Sequence, residues 1–307
     1  MKALITSILH RWKAHIRARK LWKILKQVFL SVWYIFQRVF LLWFISAWFV
    51  LTMWWISHEP SLYRDWEEQD AVLASINWIS DDEVQIENIR NHTWLSDTEF
   101  HAWYLTESYS LSELERVYYS ITPFSDRDGP AHTMLSFTFE DGRHLVISAE
   151  LRKQRWQTFD ALKGVLNQFE LQYVIATEED VIKLRTHHRN NEVYMYPIVL
   201  DNERLQLLFR SMLIRADKLS REPEFYHTFW NNCTTTILQH ANAFRQEKIR
   251  PWKYALLPAH SDRLVYDLWL IDTRLSQVDA REYYRIDERA RQDTELSFSE
   301  AIRPEIR

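Results

Sequence analysis

His132–Leu151, HTMLSFTFEDGRHLVISAEL, decides the fold. Its opening run alternates: Thr133, Leu135, Phe137 and Phe139 share one face, and His132, Met134, Ser136 and Thr138 the other. A side-chain period of two specifies a β-strand. Glu140-Asp141-Gly142 follows, and Asp-Gly tolerates the backbone angles of a tight hairpin. Arg143–Leu151 returns as the second strand. With a three-residue turn, Phe139 faces Arg143, and the same register sets His132 opposite Glu150. Ser148 is then the diagonal neighbour on that face. His132 opens its strand just after the Gly129-Pro130 break, which puts its imidazole at a strand end.

Outward from this hairpin, Glu170–Thr177 and Val193–Val199 read as further strands, and Pro197 marks the latter as an edge. Asp65–Ser75 and Ser110–Tyr119 read as helices, as do Leu205–Lys218 and Thr234–Phe244. The charged tail from Asp279 is expected on the surface. Strands in the middle with helices toward the ends give an α+β class with an antiparallel sheet.

Charge is unevenly placed. Residues 1–38 carry nine Lys/Arg and no Asp or Glu. Val39–Ser57, VFLLWFISAWFVLTMWWIS, then runs for nineteen residues without a charge. As a helix it is about 28 Å long, close to the hydrocarbon thickness of a bilayer. The apolar run is continuous, too long for a signal-peptide core and without a small-residue cleavage site. Val28–Phe36 reads as the interfacial start of the same helix. By the positive-inside rule the N-terminus is cytoplasmic and the chain from about residue 58 lies across the membrane. The chain thus divides into a basic segment with its anchor, 1–58, and a domain, 59–307. Inner-membrane lipid is the first expected partner.

Composition removes several chemistries. The three glycines, Gly129, Gly142 and Gly164, are too far apart for a dinucleotide fingerprint, a phosphate-cradling loop or a nucleophile elbow. A single cysteine, Cys233, excludes an internal disulfide, a CxxC pair and a multi-Cys zinc site. No zinc-like ligand spacing occurs, so neither metal nor cofactor is expected. A net charge of −4 gives no reason to expect nucleic acid.

Cys233 sits in FWNNCTTTIL. With Asn232 as N-cap, it takes the first helical position, where unsatisfied N–H groups and the helix dipole favour an anion. A thiolate there is a candidate nucleophile. Spacing alone equally permits an inert core thiol, but an unpaired cysteine beyond the membrane is a liability in an oxidising compartment. Among twelve His, His132 is the candidate base. His240 is seven residues after Cys233, about 10 Å along the helix, too far for a hydrogen bond. His227 comes close only if its loop folds back, and His187-His188 read as a solvated loop beside Arg185 and Arg189. Glu150 is the candidate that orients His132, with Ser148 the runner-up; the competing reading pairs Glu150 with Arg152 or Arg185. The Cys233 N–H and the Asn232 side chain are candidate oxyanion donors, and Ser148 is grouped with Asn232 as a substrate- or oxyanion-binding candidate.

AHTMLSFTFEDGRHLVISAELRK, FELQYVIATEEDVIKLRTHHR and FWNNCTTTILQH, followed by LLPAHSDRLVYDLWLIDT and FSEAIR, resemble in order the blocks of the periplasmic domain of Lnb-type lipoprotein N-acyltransferases. The resemblance runs from about Glu87 to Arg303. It implies a circularly permuted papain-like fold, related to NlpC/P60 and lecithin–retinol acyltransferases, with His132 first on a strand and Asn232-Cys233 later at a helix start. It implies a thiol-dependent acyltransferase or hydrolase in the periplasm of a bacterium, taking a lipoprotein or acyl-lipid substrate. A cysteine peptidase or amidase on cell-wall peptide is the competing enzyme, and a membrane-tethered binding module the competing non-enzyme. A reporter active only in the cytoplasm, fused after Arg307, is expected to be silent; strong activity would reverse the topology.

Overall fold

The computed structural model describes residues 2–124, 129–250 and 258–306. The chain divides into two units, Met1–Glu59 and Pro60–Arg307. The first is one helix, α1 (Lys2–Ser57), which contains Val28–Phe36 without interruption. No Gly or Pro interrupts it before Pro60. Within it Arg19–Trp55 is long and apolar enough to cross a membrane, and its apolar window has no buried residue.

The second unit begins with β1 (Ser75–Trp78), β2 (Glu83–Arg90), β3 (Thr93–Trp94), β4 (Phe100–His101), β5 (Tyr104–Ser110) and β6 (Leu114–Pro123). The hairpin follows as β7 (Ala131–Phe139) and β8 (His144–Arg152), then α2 (Ala161–Val165), β9 (Glu170–Ala176), α3 (Glu178–Lys183) and β10 (Tyr194–Ile198). Helices α4 (Asn202–Arg221), α5 (Cys233–Ala243), α6 (Ser261–Asp267), α7 (Gln277–Tyr283), α8 (Asp287–Ala290) and α9 (Phe298–Ala301) complete the described elements. Leu256 and Leu257 of the LLPAHS block lie outside the described residues.

Eight of the described strands form one sheet in the order β1-β2-β9-β8-β7-β6-β10, with β5 also on β2. The sheet is mixed, not purely antiparallel: β2 meets β9 in parallel at Arg90–Ala176. The hairpin register is the expected one, from Thr138–His144 to Leu135–Ile147, closed by Phe139 N donating to Arg143 O at 3.0 Å. Gly142 sits at φ 83°, in the left-handed region. Pro197 is on β10, at the end of the strand order. Asp201 and Asn232 cap α4 and α5.

Three readings are corrected. Ser110–Tyr119 is not a helix: after a short 3-10 turn, Leu111–Glu113, the chain becomes β6, an inner strand. Val117 to Ile121 are buried on both faces, which removes the alternation that marks a one-sided strand. Asp65–Ser75 holds only a 3-10 turn, Glu68–Asp70, because Trp66 bridges Gln154 and lies under the Arg152 guanidinium. The tail from Asp279 is not all surface, since Tyr284, Ile286 and Ile302 are fully buried.

Helices cover both faces of the sheet. Odd-numbered β7 residues Leu135, Phe137 and Phe139 join a core with α4, where Phe137 meets Phe209 edge-on with centroids 5.0 Å apart. Met134 and Val146 join a second core with α3 and α8. Phe137→Ala is expected to cost about 3–5 kcal/mol, read as a lowered urea midpoint with an unchanged slope; a loss below about 1 kcal/mol would show that this core is not what holds the sheet.

Candidate functional site

The β7–β8 ladder is traced only from Thr138–His144 to Leu135–Ile147, although both strands run further. Beyond that point β7 stays with β6 as far as Pro123–Ala131, and β8 stays with β9 as far as Arg152–Glu170. The two halves of the sheet part there. His132, Ser148 and Glu150 stand at this end, on even positions, while α5 packs on β7 and β8 from the odd side.

Asn232 starts α5 through a capping box. Its Oδ1 accepts from Thr235 N at 2.9 Å, and Thr235 Oγ1 accepts from Asn232 N at 2.9 Å. The Asn232 Nδ2 donates to Thr228 O at 2.6 Å, which uses one of its two N–H groups. The side chain expected to serve an oxyanion is thus anchored at Oδ1 and at one of its two Nδ2 hydrogens. Cys233 follows at the first helical position, buried, with Sγ 3.8 Å from Ala131 O. A Thr133–Thr234 hydroxyl contact of 3.2 Å fixes α5 to the start of β7.

His132 and Cys233 are brought together despite their separation in sequence, and each changes the other's titration. Burial pushes the thiol up, but contact with His132, the imidazole's charge and hydrogen bonding to Thr133 bring it down to about 7. Burial and the Arg185 charge lower His132, while Cys233 and Glu150 outweigh them and leave it raised. Ser148 Oγ lies 2.7 Å from His132 Nε2, and Glu150 Oε1 lies 3.3 Å from the same nitrogen. Ser148 thus touches the imidazole, not the thiol. The Glu150 contact is ionic and not an aligned hydrogen bond. With Nε2 held, Nδ1 is the nitrogen left to address the thiol. Burial would raise Glu150, but His132, Arg185 and Arg90 hold it far below the usual carboxylate range.

Arg185, 3.5 Å from Glu150, is not in a solvated loop. A π-helical turn, Leu184–His188, buries it against Val181 O at 2.5 Å. The sequence offered it only as one possible partner for Glu150; its burial follows from the irregular turn, which no local pattern announces. Arg152, the other partner considered, donates instead to Asp70 O and Ala71 O. His240 serves packing, between Tyr173 Oη at 2.7 Å and Ser211 Oγ at 2.9 Å. The loop before Asn231 does fold back, yet His227 spends Nδ1 on Phe229 N at 3.1 Å. Among the described residues no three His, Cys, Asp or Glu side chains converge as metal ligands.

One residue beyond the thiol, Thr234 begins the wall of an apolar cavity of about 90 Å³. Ile237 and Leu238 of α5, Phe244 just after it and Leu264 of α6 continue that wall.

A sheet carrying a helix-start thiol beside a strand-end imidazole defines the class. The family described as the Lnb N-terminal periplasmic domain matches residues 99–267, and the chain belongs to it. Neither the curated proteins nor the solved structures give a match.

Alkylation of Cys233 by iodoacetamide is expected to rise with pH about a midpoint near 7. In His132→Ala the partner that lowers the thiol is gone while burial remains, so the midpoint should move above about 8.5. Equal midpoints in the two proteins, read by intact mass, would separate the thiol from the imidazole.

Proposed function

We propose that this chain is a single-pass inner-membrane protein whose second unit faces the periplasm and works as a Cys–His acyltransferase or hydrolase on a lipid-linked or lipoprotein substrate. The observation that carries the reading is the Cys233 thiol at the start of α5, lowered by an imidazole whose Nε2 is held by Ser148 and Glu150. The permuted papain-like arrangement is part of the same proposal, since strand histidine and helix-start cysteine occur in that order.

The thiolate attacks an ester carbonyl carbon, forming a C–S bond and placing negative charge on the oxygen. The donors for that oxyanion are the Cys233 backbone N–H at the helix start and the second N–H of Asn232 Nδ2. The His132 imidazolium gives its proton to the departing alkoxide as the C–O bond breaks, leaving a thioester and a neutral imidazole. An amine or water then attacks the thioester carbon, His132 takes the proton that is lost, and the C–S bond breaks to return the Cys233 thiolate. Amine gives transfer and water gives hydrolysis. Ser148 and Glu150 keep the ring in place through the cycle. The apolar cavity beginning at Thr234 supports an acyl chain as the group on sulfur. Nine basic residues before the apolar run and none acidic support the orientation.

Incubating the full chain in phospholipid proteoliposomes is expected to leave a hydroxylamine-sensitive acyl adduct on Cys233. Cys233→Ala should carry none, and His132→Ala should form it at least about 100-fold more slowly. No adduct and no turnover with phospholipid or lipoprotein would return the unit to a tethered binding module; release from cell-wall peptide instead would make it an amidase.

A further inference from the structure

Five large apolar side chains are at least half exposed beside the candidate site: Phe124, Trp156, Phe159, Leu162 and Trp230. Contacts and short chain links join four of them into one rim, and Trp156 precedes Phe159 by three residues. Phe124 and Phe159 meet edge-on with centroids 6.4 Å apart. Helix α2, which carries Leu162, is held to the loop before Cys233 by Thr228 Oγ1 donating to Ala161 O at 2.8 Å. Gly164 permits that approach, since a side chain there would collide with Thr228. Trp230 stacks on His227 at 5.1 Å in the same loop, whose Thr228 carbonyl is bonded to Asn232. The one carboxylate within Phe159–Leu162, Asp160, is exposed and caps α2, accepting from Leu162 N and Lys163 N.

The same end of the sheet is tied to the membrane-side chain. Ser61 N donates to Glu170, Trp66 bridges Gln154, and Glu67 N donates to Lys153 O at 2.9 Å. Ser61 follows the last residue of the apolar run by four positions. Four extended residues reach at most about 14 Å, so Ser61 lies within that chain length of the end of the apolar run. Trp156 follows Gln154 by two residues. Trp and Phe are the side chains that settle at the membrane interface, with an apolar body and, in Trp, a polar edge.

We propose that this rim seats in the interfacial layer of the bilayer, so that substrate reaches Cys233 from lipid and not from bulk water. The seating of the rim rests on the reading of α1 as a membrane span and not on the thiol; the substrate route rests in addition on the proposed function. The occupant is the phospholipid interface; a second protein copy is the alternative that the test separates.

Spin labels on Leu162→Cys, Leu207→Cys and Leu42→Cys, each in a Cys233→Ala full chain within phosphatidylethanolamine/phosphatidylglycerol nanodiscs, read this directly. All three positions are exposed, so the substitutions leave packing intact. The Leu162 label is expected to relax more with oxygen than with a water-soluble nickel chelate, as the Leu42 label in the span does. The Leu207 label on α4 should show the reverse. A Leu162 label matching Leu207, or shielded from both reagents by a protein partner, would overturn the rim proposal while leaving the anchor standing. A nickel-accessible Leu42 label would overturn the anchor and the rim together.

Discussion

The His132 imidazole, held at Nε2 by a 2.7 Å contact with Ser148 Oγ, is the fixed point of the site. It depends on β7 and β8 parting above Leu135–Ile147. Had the ladder continued, His132 and Glu150 would face each other as a directly opposed pair, with Cβ atoms about 5 Å apart. A continuous backbone ladder would then separate them from α5. The parting is enforced from both sides, since β6 retains β7 to Ala131 and β9 retains β8 to Arg152. The thiol approaches from the odd-numbered face, with Sγ near Ala131 O, and meets an imidazole that belongs to the even-numbered row. The hairpin therefore holds the chemistry by failing to close over its whole length.

Behind His132 the charges form a series. Glu150 faces both His132 and Arg185. Farther in, Arg90 grips Asp180 in a two-toothed contact of 2.9 and 3.2 Å, and Asp180 also accepts from His92 N and Trp94 Nε1. Buried ion pairs rarely add net stability, because desolvation offsets their attraction. Their value here lies in position. Arg185 and Arg90 keep Glu150 ionised, and the Arg185 charge also opposes protonation of His132. Glu150 alone would favour the imidazolium strongly; sharing Glu150 with Arg185 leaves an imidazole able both to accept and to return a proton. The π-helical turn is what points Arg185 inward, a local irregularity of the kind that recurs at functional sites.

Much of this was legible in sequence because it rests on short-range rules. The Asp-Gly turn set the hairpin register, and that register paired His132 with Glu150 across the gap. The Asn-Cys order set the cap and the helix start. What escaped was long-range or two-sided. β6 is buried on both faces from Val117 to Thr122, so it lacks the alternation of a one-sided strand, and Leu111, Leu114, Val117 and Tyr118 fall at a spacing that imitates a helix. β2 has a shift in its pairing with β5 between Ile86 and Ile89, which breaks the period of two. Arg185 became a site residue only through tertiary packing. The buried tail shows the same limit: its charge is real, yet Asp287 and Arg303 find partners in Arg285 and Glu178, so charge did not mean exposure.

Asn232 ties the chemistry to the surface. Its Oδ1 supports the first turn of α5, whose free N–H groups favour a thiolate, and a cap of this kind is worth about 1 kcal/mol to a helix. Its Nδ2 grips Thr228 O, which shapes the loop carrying Trp230. Thr228 in turn holds α2 through Ala161. One side chain thus couples the electrostatics at sulfur to the placement of the aromatic rim. An amide is suited to this because it donates and accepts at once, whereas an aspartate would keep the cap and lose the donor. The bond to Thr228 O uses one Nδ2 hydrogen, so cap and loop are both satisfied with a second amide N–H still available beside the helix start that carries Cys233.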